Sequence, residues 1–203
     1  EPGLRHCHDI DLLVLANDSD RIAQALRSSG WNVVGGWDSP LDDSFRLVHR
    51  SALPLVLHNR LFRIPYYRPP LEEILNRCSK AQLAGVESQI LSAADSLMHI
   101  CGHAACTGNR ESLRWACDAW LLIDRSDALD WKLFLDCVLR TRVALPVFVT
   151  LDYLRTELEA QVPASILEEL RLAAPATTGA GRAAAIIGAQ STPRGSFGNI
   201  LRT

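Results

Sequence analysis

Two aspartates one residue apart, Asp9 and Asp11, precede the apolar run LLVLA at residues 12–16. Alternate residues of a β-strand point to the same side, so both carboxylates are expected on one face at the start of a buried strand. Two carboxylates held together repel each other, and a divalent cation relieves that repulsion. Mg²⁺ takes oxygen ligands, commonly one or two carboxylates together with substrate phosphates. The pair therefore predicts a metal site for phosphoryl or nucleotidyl transfer. The alternative is that the acids cap a neighbouring helix or pair with Arg5.

Two histidines, His49 and His58, lie in neighbouring β-like runs at residues 44–50 and 53–61. Only two residues separate these runs, which predicts a hairpin that brings the two imidazoles opposite each other. In that arrangement they would serve as metal ligands or as a general acid and base near pH 7. The alternative is a pair of histidines that hydrogen-bond within the sheet.

The elements that must position these residues alternate between strands and a helix in the first third of the chain. The expected elements are a strand over 9–16, a helix over 19–29 that ends at Gly30, a strand over 31–37 and the two runs of the hairpin. A proline-containing segment at 64–70 acts as a linker. Beyond it the periodicity is helical, and the expected helices cover residues 71–78, 92–107, 111–125, 131–143, 146–160 and 164–173.

These elements predict an α+β fold in which a small mixed sheet with a flanking helix is followed by a helical bundle. The expected domains are an α/β core at residues 1–68, a helical domain at 69–175 and a partly ordered tail at 176–203. Ser92 and Asp95 resemble a capping box at the start of the second helix of the bundle.

Polar residues in the helical half share helix faces. His99 and His103 are four residues apart, as are Arg114 and Asp118. The latter two are expected either to form an intrahelical ion pair or to leave Asp118 to orient the imidazole of His103. The run LRWACDAWLLI at 113–123 is apolar almost all round and predicts a central helix.

Composition excludes several classes of protein. The 203 residues carry a net charge of −2 with scattered cations, so the basic footprint of a duplex nucleic-acid binder is absent. The longest apolar runs, at 12–16 and 53–57, are far shorter than the roughly 20 residues that span a membrane. Six cysteines without a CxxC pair indicate reduced core thiols. With no secretory leader visible, a cytoplasmic location is expected.

Four segments, in this order and spacing, are similar to one known family. They are GLRHCHDIDLLV with the later run LPLVLH, LSAADSLMHICGHAAC, LRWACDAWLLI and LDWKLF, which together span about residues 3–155. The sequence resembles the bacterial uncharacterised nucleotidyltransferases of the DNA polymerase β-like nucleotidyltransferase superfamily. The resemblance implies a nucleotidyltransferase-like sheet that uses Mg²⁺ or Mn²⁺. It also implies transfer of a nucleoside monophosphate from an NTP, such as ATP, to a small-molecule, peptide or protein acceptor in a biosynthetic pathway.

The resemblance also implies roles for individual residues. Asp9 and Asp11 match the metal-binding acids, Arg5 matches a phosphate contact or a partner of the acids, and His58 matches the histidine of the family's E-L-H strand. The substrate-binding positions of the expected cleft are His49, His103, Arg114 and Asp118.

Two features of the family pattern are not found in the sequence. It starts too close to the acids to include the family's upstream glycine turn, and Val56 stands where E-L-H has its third carboxylate. A degenerate member without nucleotidyl transfer, acting as a ligand-binding module or a repurposed tailoring enzyme, is therefore the alternative. An interaction domain whose helices dock on a partner is the third reading.

Overall fold

The computed structural model describes residues 9–35, 44–83, 85–107, 114–125 and 129–174. The chain divides into two compact units, Glu1–Arg63 and Ile64–Thr203. The first contains a mixed sheet with a helix and the second is mainly helical, which confirms the α+β class. Within the described ranges, no helix is long and apolar enough to cross a lipid bilayer. Arg5 and the expected tail at 176–203 lie outside those ranges.

The first unit is built on a four-stranded sheet. Its strands are β1 (Ile10–Leu13), β2 (Trp31–Gly35), β3 (Ser44–His49) and β4 (Pro54–His58), and its helix is α1 (Ser19–Ser28). The strand order is β1-β4-β3-β2, with β1 parallel to β4 and the other pairs antiparallel. The backbone at Gly30 has a φ of +89°, the left-handed conformation expected just after a helix. Each element predicted for this part of the chain is therefore present, with shorter bounds.

Apolar residues on one face of this sheet form the core of the first unit. The buried cluster consists of Val14, Ala23, Phe45, Leu47, Leu55 and Leu57. Ile22 and Leu26 of α1 pack against it, so the amphipathic helix covers this face. The other face of β4 and β3 consequently presents Val56, His58 and Arg46, because neighbouring residues of a strand alternate between faces.

β1 is not the buried strand that the sequence predicts. Ile10 is 40% exposed and Leu12 is 38% exposed. Among the described residues, β1 lies at the edge of the sheet with β4 as its single neighbour. An edge strand has a neighbouring strand on one side only, so its apolar residues are less covered than those of a central strand.

β3 and β4 form the predicted hairpin, but its loop has three residues rather than two. The backbone N–H of His49 donates to the carbonyl of Leu53 at 2.9 Å, and that of Ala52 donates to the carbonyl of His49 at 2.8 Å. Ala52 has a φ of +64°, the left-handed conformation that ends many three-residue hairpin loops.

The second unit combines helices with a short hairpin. Its helices are α2 (Leu71–Asn76), α3 (Ala93–Thr107), α4 (Arg114–Arg125), α5 (Trp131–Thr141), α6 (Ala144–Leu158) and α7 (Ala164–Ala173). The strands β5 (Ser79–Leu83) and β6 (Val86–Ile90) pair antiparallel between α2 and α3. The sequence predicted the helices but not this hairpin.

α3 and α6, rather than α4, lie at the centre of the second unit. α3 packs against α4, α5 and α6, and α6 also contacts α7. Seven residues of α6 are buried, compared with Ala116 and Ala119 on α4, where Leu121 is 43% exposed. The expected central position of α4 is therefore wrong, because its apolar residues other than alanine remain partly exposed.

A buried carboxylate fixes the start of α3. Asp95 is fully buried, and Arg77 binds both of its oxygens, through Nη2 at 2.8 Å and Nε at 3.2 Å. The Ser92 hydroxyl donates to the same carboxylate at 2.6 Å and accepts the backbone N–H of Asp95 at 3.1 Å. The predicted cap by Ser92 is thus confirmed, and the Asp95 carboxylate serves as a structural ion-pair partner.

Candidate functional site

The carboxylate of Asp11 and the imidazole of His58 meet on the parallel strand pair of the first unit. His58 Nε2 lies 2.8 Å from Asp11 Oδ1, which is a hydrogen bond whose direction follows the tautomer of the ring. The register of β1 and β4 places Leu13 beside His58 and Asp11 beside Val56. The side chain of Asp11 is 63% exposed and that of His58 is 33% exposed, so a solute can reach both.

A row of residues crosses the sheet beside this pair. Asp11 pairs in register with Val56, and Val56 pairs in register with Arg46. Residues in register on adjacent strands point to the same side, so the three share the face opposite the buried cluster. Strands are about 4.8 Å apart, which places the backbones of Asp11 and Arg46 about 10 Å apart. The sheet therefore holds a carboxylate, an imidazole and an exposed guanidinium on one face.

Asp9 lies just before β1 and is exposed. Asp9 and Asp11 together offer the one or two carboxylates that Mg²⁺ binds alongside substrate phosphates, so the donor set fits that cation. Across the described ranges, no group of three or more His, Cys, Asp or Glu side chains forms a metal cluster. As far as the described residues go, the further ligands of such a cation would come from a substrate or from water.

His49 does not face His58, and this prediction is wrong. In the register of the hairpin, His58 lies opposite Ser44, whereas His49 is next to the loop at the other end of β3. His49 Nδ1 lies 2.8 Å from the Ser51 hydroxyl, and its ring packs against Trp31 with centroids 5.1 Å apart. The two histidines are apart because residues next to the loop of a hairpin pair with each other, and His58 lies at the end of β4 that is far from the loop.

The other predicted substrate-binding residues belong to the second unit. His103 lies on α3 and is half-buried, while Arg114 is exposed at the start of α4 and Asp118 is half-buried one turn later. Their binding role remains a prediction. The structure thus brings together Asp11 and His58 from the predicted set.

The sequence reasoning missed Arg46 and the direct contact of Asp11 with His58. Arg46 alternates with Phe45 and Leu47, so the pattern of β3 already placed it on the polar face. The contact of Asp11 with His58 could not be predicted from local sequence, because it requires β1 to pair with β4 in parallel and no local pattern specifies that pairing.

A mixed sheet that carries an aspartate pair at the start of its edge strand, followed by a helical region, is the arrangement expected of a nucleotidyltransferase. A family model described as uncharacterised nucleotidyltransferase matches residues 1–159. The chain therefore belongs to the uncharacterised nucleotidyltransferase family. No curated protein matches the chain. Membership implies an NTP substrate, and nucleotidyltransferases generally use divalent metal ions.

Proposed function

We propose that the protein is a Mg²⁺- or Mn²⁺-dependent nucleotidyltransferase that transfers a nucleoside monophosphate from an NTP to a small-molecule, peptide or protein acceptor. The observation that carries this proposal is the hydrogen-bonded pair of Asp11 and His58, solvent-accessible on the sheet of a chain from this family. A Mg²⁺ ion bound at Asp9 and Asp11 would neutralise charge on the phosphate oxygens.

We assign to His58 the removal of the proton from the acceptor hydroxyl. In the proposed reaction the acceptor oxygen forms a bond to the α-phosphorus of the NTP, the bond from that phosphorus to the oxygen bridging to the β-phosphate breaks, and pyrophosphate leaves. His58 takes the proton of the acceptor hydroxyl, because a neutral imidazole nitrogen can act as a general base and Val56 has no proton-accepting atom. Asp11 orients the imidazole through the 2.8 Å hydrogen bond.

Arg46 supplies the positive charge on the far side of Val56. Its guanidinium is a donor for phosphate oxygens, which it can bind in a bidentate manner. In this proposal the substrate phosphates extend from the aspartates towards Arg46 along the row of residues in register.

A second candidate function is nucleotide or ligand binding without transfer. The specific observation that favours it is Val56, an apolar residue directly beside Asp11 at the position where the family pattern has a carboxylate. With two carboxylates rather than three, the site would hold a nucleotide without the second metal that a two-metal transfer needs.

Calorimetric titration of the full chain with ATP in the presence of Mg²⁺ tests the proposal. We expect heat of binding that disappears in Asp11→Asn and persists in Asp20→Asn, a matched change of an exposed aspartate on α1. Incubation with α-labelled ATP then separates the two candidates, because label transferred to protein or peptide requires catalysis. ATP binding that does not depend on Asp11 would contradict both.

A further inference from the structure

A pair of histidines that the proposed reaction does not use lies side by side on α3. His99 and His103 are one helical turn apart, and the centroids of their rings are 5.3 Å apart with the ring planes inclined by 53°. Both side chains are half-buried, so they are held by the protein and still accessible to solvent. Because α3 is packed against α4, α5 and α6, the two histidines stand on a rigid element.

The separation of the two rings matches that of two imidazoles bound to one metal ion. A zinc–nitrogen bond is about 2.0 Å, which puts each ring centre about 3.2 Å from the metal, and a tetrahedral angle then separates the ring centres by about 5.2 Å. The observed separation of 5.3 Å between the two ring centroids is close to this value. The spacing of the two rings therefore suits one shared metal ion.

We propose that His99 and His103 form a binding site for a borderline transition-metal cation such as Zn²⁺, Ni²⁺ or Cu²⁺. Neutral imidazole nitrogens suit these ions, whereas Mg²⁺ prefers carboxylate and phosphate oxygens. The site supplies two protein ligands from the described residues and leaves the remaining positions to water or a further ligand. It is built from residues of the second unit and does not depend on the proposed function.

The neighbouring cysteine does not belong to this site. Cys101 lies between the two histidines in sequence, but residues two apart on a helix do not share a face. It is fully buried, so it does not line the solvent-accessible face on which the two half-buried imidazoles lie. The site is therefore built from imidazoles.

The test is a titration of the metal-free full chain with Zn²⁺, followed by NMR of the histidine ring protons. We expect the signals of His99 and His103 to shift together and saturate with one equivalent, with His49 unchanged as the internal reference. Millimolar Mg²⁺ should not reverse the shift. If His99 and His103 do not respond to Zn²⁺, or respond separately at different concentrations, the proposal is wrong.

Variants provide the second measurement. His99→Gln and His103→Gln should each weaken Zn²⁺ binding, measured by competition with a chromophoric chelator, at least tenfold, because each removes one of two ligands. Glutamine is a good helix former, so α3 should be retained, and circular dichroism checks this. His49→Gln is the matched control and should bind Zn²⁺ as the unmodified chain does. Wild-type affinity in either α3 variant would overturn the proposal.

Discussion

Asp11 Oδ1 and His58 Nε2 are 2.8 Å apart, although 47 residues separate them in sequence. The contact exists because β1 pairs in parallel with β4, the last strand of the sheet in chain order. It places an acid and a base at hydrogen-bonding distance on an accessible face. The proposed transfer reaction rests on this arrangement.

Arg46 provides a test of how phosphates lie on the sheet. Replacement by glutamine removes the positive charge while keeping a hydrogen-bonding side chain, so ATP affinity should fall about tenfold, the loss expected from one charge-assisted contact. Calorimetry in the presence of Mg²⁺ measures the change. Arg21→Gln, an exposed arginine of α1 that pairs with Asp18, is the control and should leave the affinity unchanged. Equal ATP affinities of the two variants would show that the phosphates do not contact Arg46.

Val56 provides a gain-of-function test. Glutamate at this position would stand in register beside Asp11 and complete a set of three carboxylates. Because Val56 is only 6% exposed, the added charge should lower the melting temperature without metal. Mg²⁺ should recover more of that loss in Val56→Glu than in Val56→Gln, since a ligand that binds the folded state stabilises it. A similar Mg²⁺ response in the two variants would show that no cation binds next to this position.

Two arginine–carboxylate pairs of the second unit should differ sharply in their contribution to stability. The pair of Arg77 with Asp95 has a fully buried acid, whereas Arg140 binds Glu73 at 2.6 Å with both side chains 46% exposed. Arg77→Met should lower the free energy of unfolding by about 3 kcal/mol, because it leaves a buried charge without its partner. Arg140→Met should cost much less, because water screens the attraction between two exposed charges. Urea unfolding measures both, and equal losses would contradict the burial assigned to Asp95.

The thiols should react according to their burial. Burial raises the pKa of Cys101 to about 12 and that of Cys137 to about 11, whereas Cys117 is exposed on α4. At pH 8 an alkylating reagent should modify Cys117 quickly and the other two only after unfolding, as read by mass spectrometry of peptides. Fast labelling of Cys101 in the folded protein would be inconsistent with the packing of α3.

The raised pKa values of Cys101 and Cys137 also determine whether their contribution to stability rises or falls with pH. Both folded-state pKa values lie above the ordinary value of 9.0, so the folded protein holds these protons more tightly than the unfolded chain does. This contribution is complete below pH 9 and is lost as the pH rises towards 11 and 12. Replacement of Cys101 by alanine should therefore reduce the loss of stability in alkaline solution.

Local patterns were sufficient to predict most of the elements. The apolar faces of α1 and β3, the glycine after α1 and the cap by Ser92 are all encoded within a few residues of sequence. The hairpin of β5 and β6 was missed because SKAQL and VESQI are mostly polar and exposed. Their sequences therefore lack the alternation of polar and apolar residues that indicates a half-buried strand. Gly85, with a φ of +80°, was the available turn signal.

Properties that depend on strand pairing were not predictable in the same way. The exposure of Ile10 and Leu12 follows from the edge position of β1, and the contact of Asp11 with His58 follows from the parallel pairing of β1 with β4. Both depend on neighbours that a strand's own sequence does not specify. For the same reason, Asp95 was expected only as a helix cap, since its partner Arg77 lies 18 residues earlier.

The most direct test of the central claim is Mn²⁺ titration of the full chain, followed by NMR of the assigned histidine rings. A paramagnetic ion held by Asp9 and Asp11 should broaden the ring signals of His58 first. His49, at the far end of the hairpin, should broaden only at higher concentration, and the selective effect should vanish in Asp11→Asn. Equal broadening of His58 and His49, or the same selectivity in Asp11→Asn, would contradict a divalent-cation site at these aspartates.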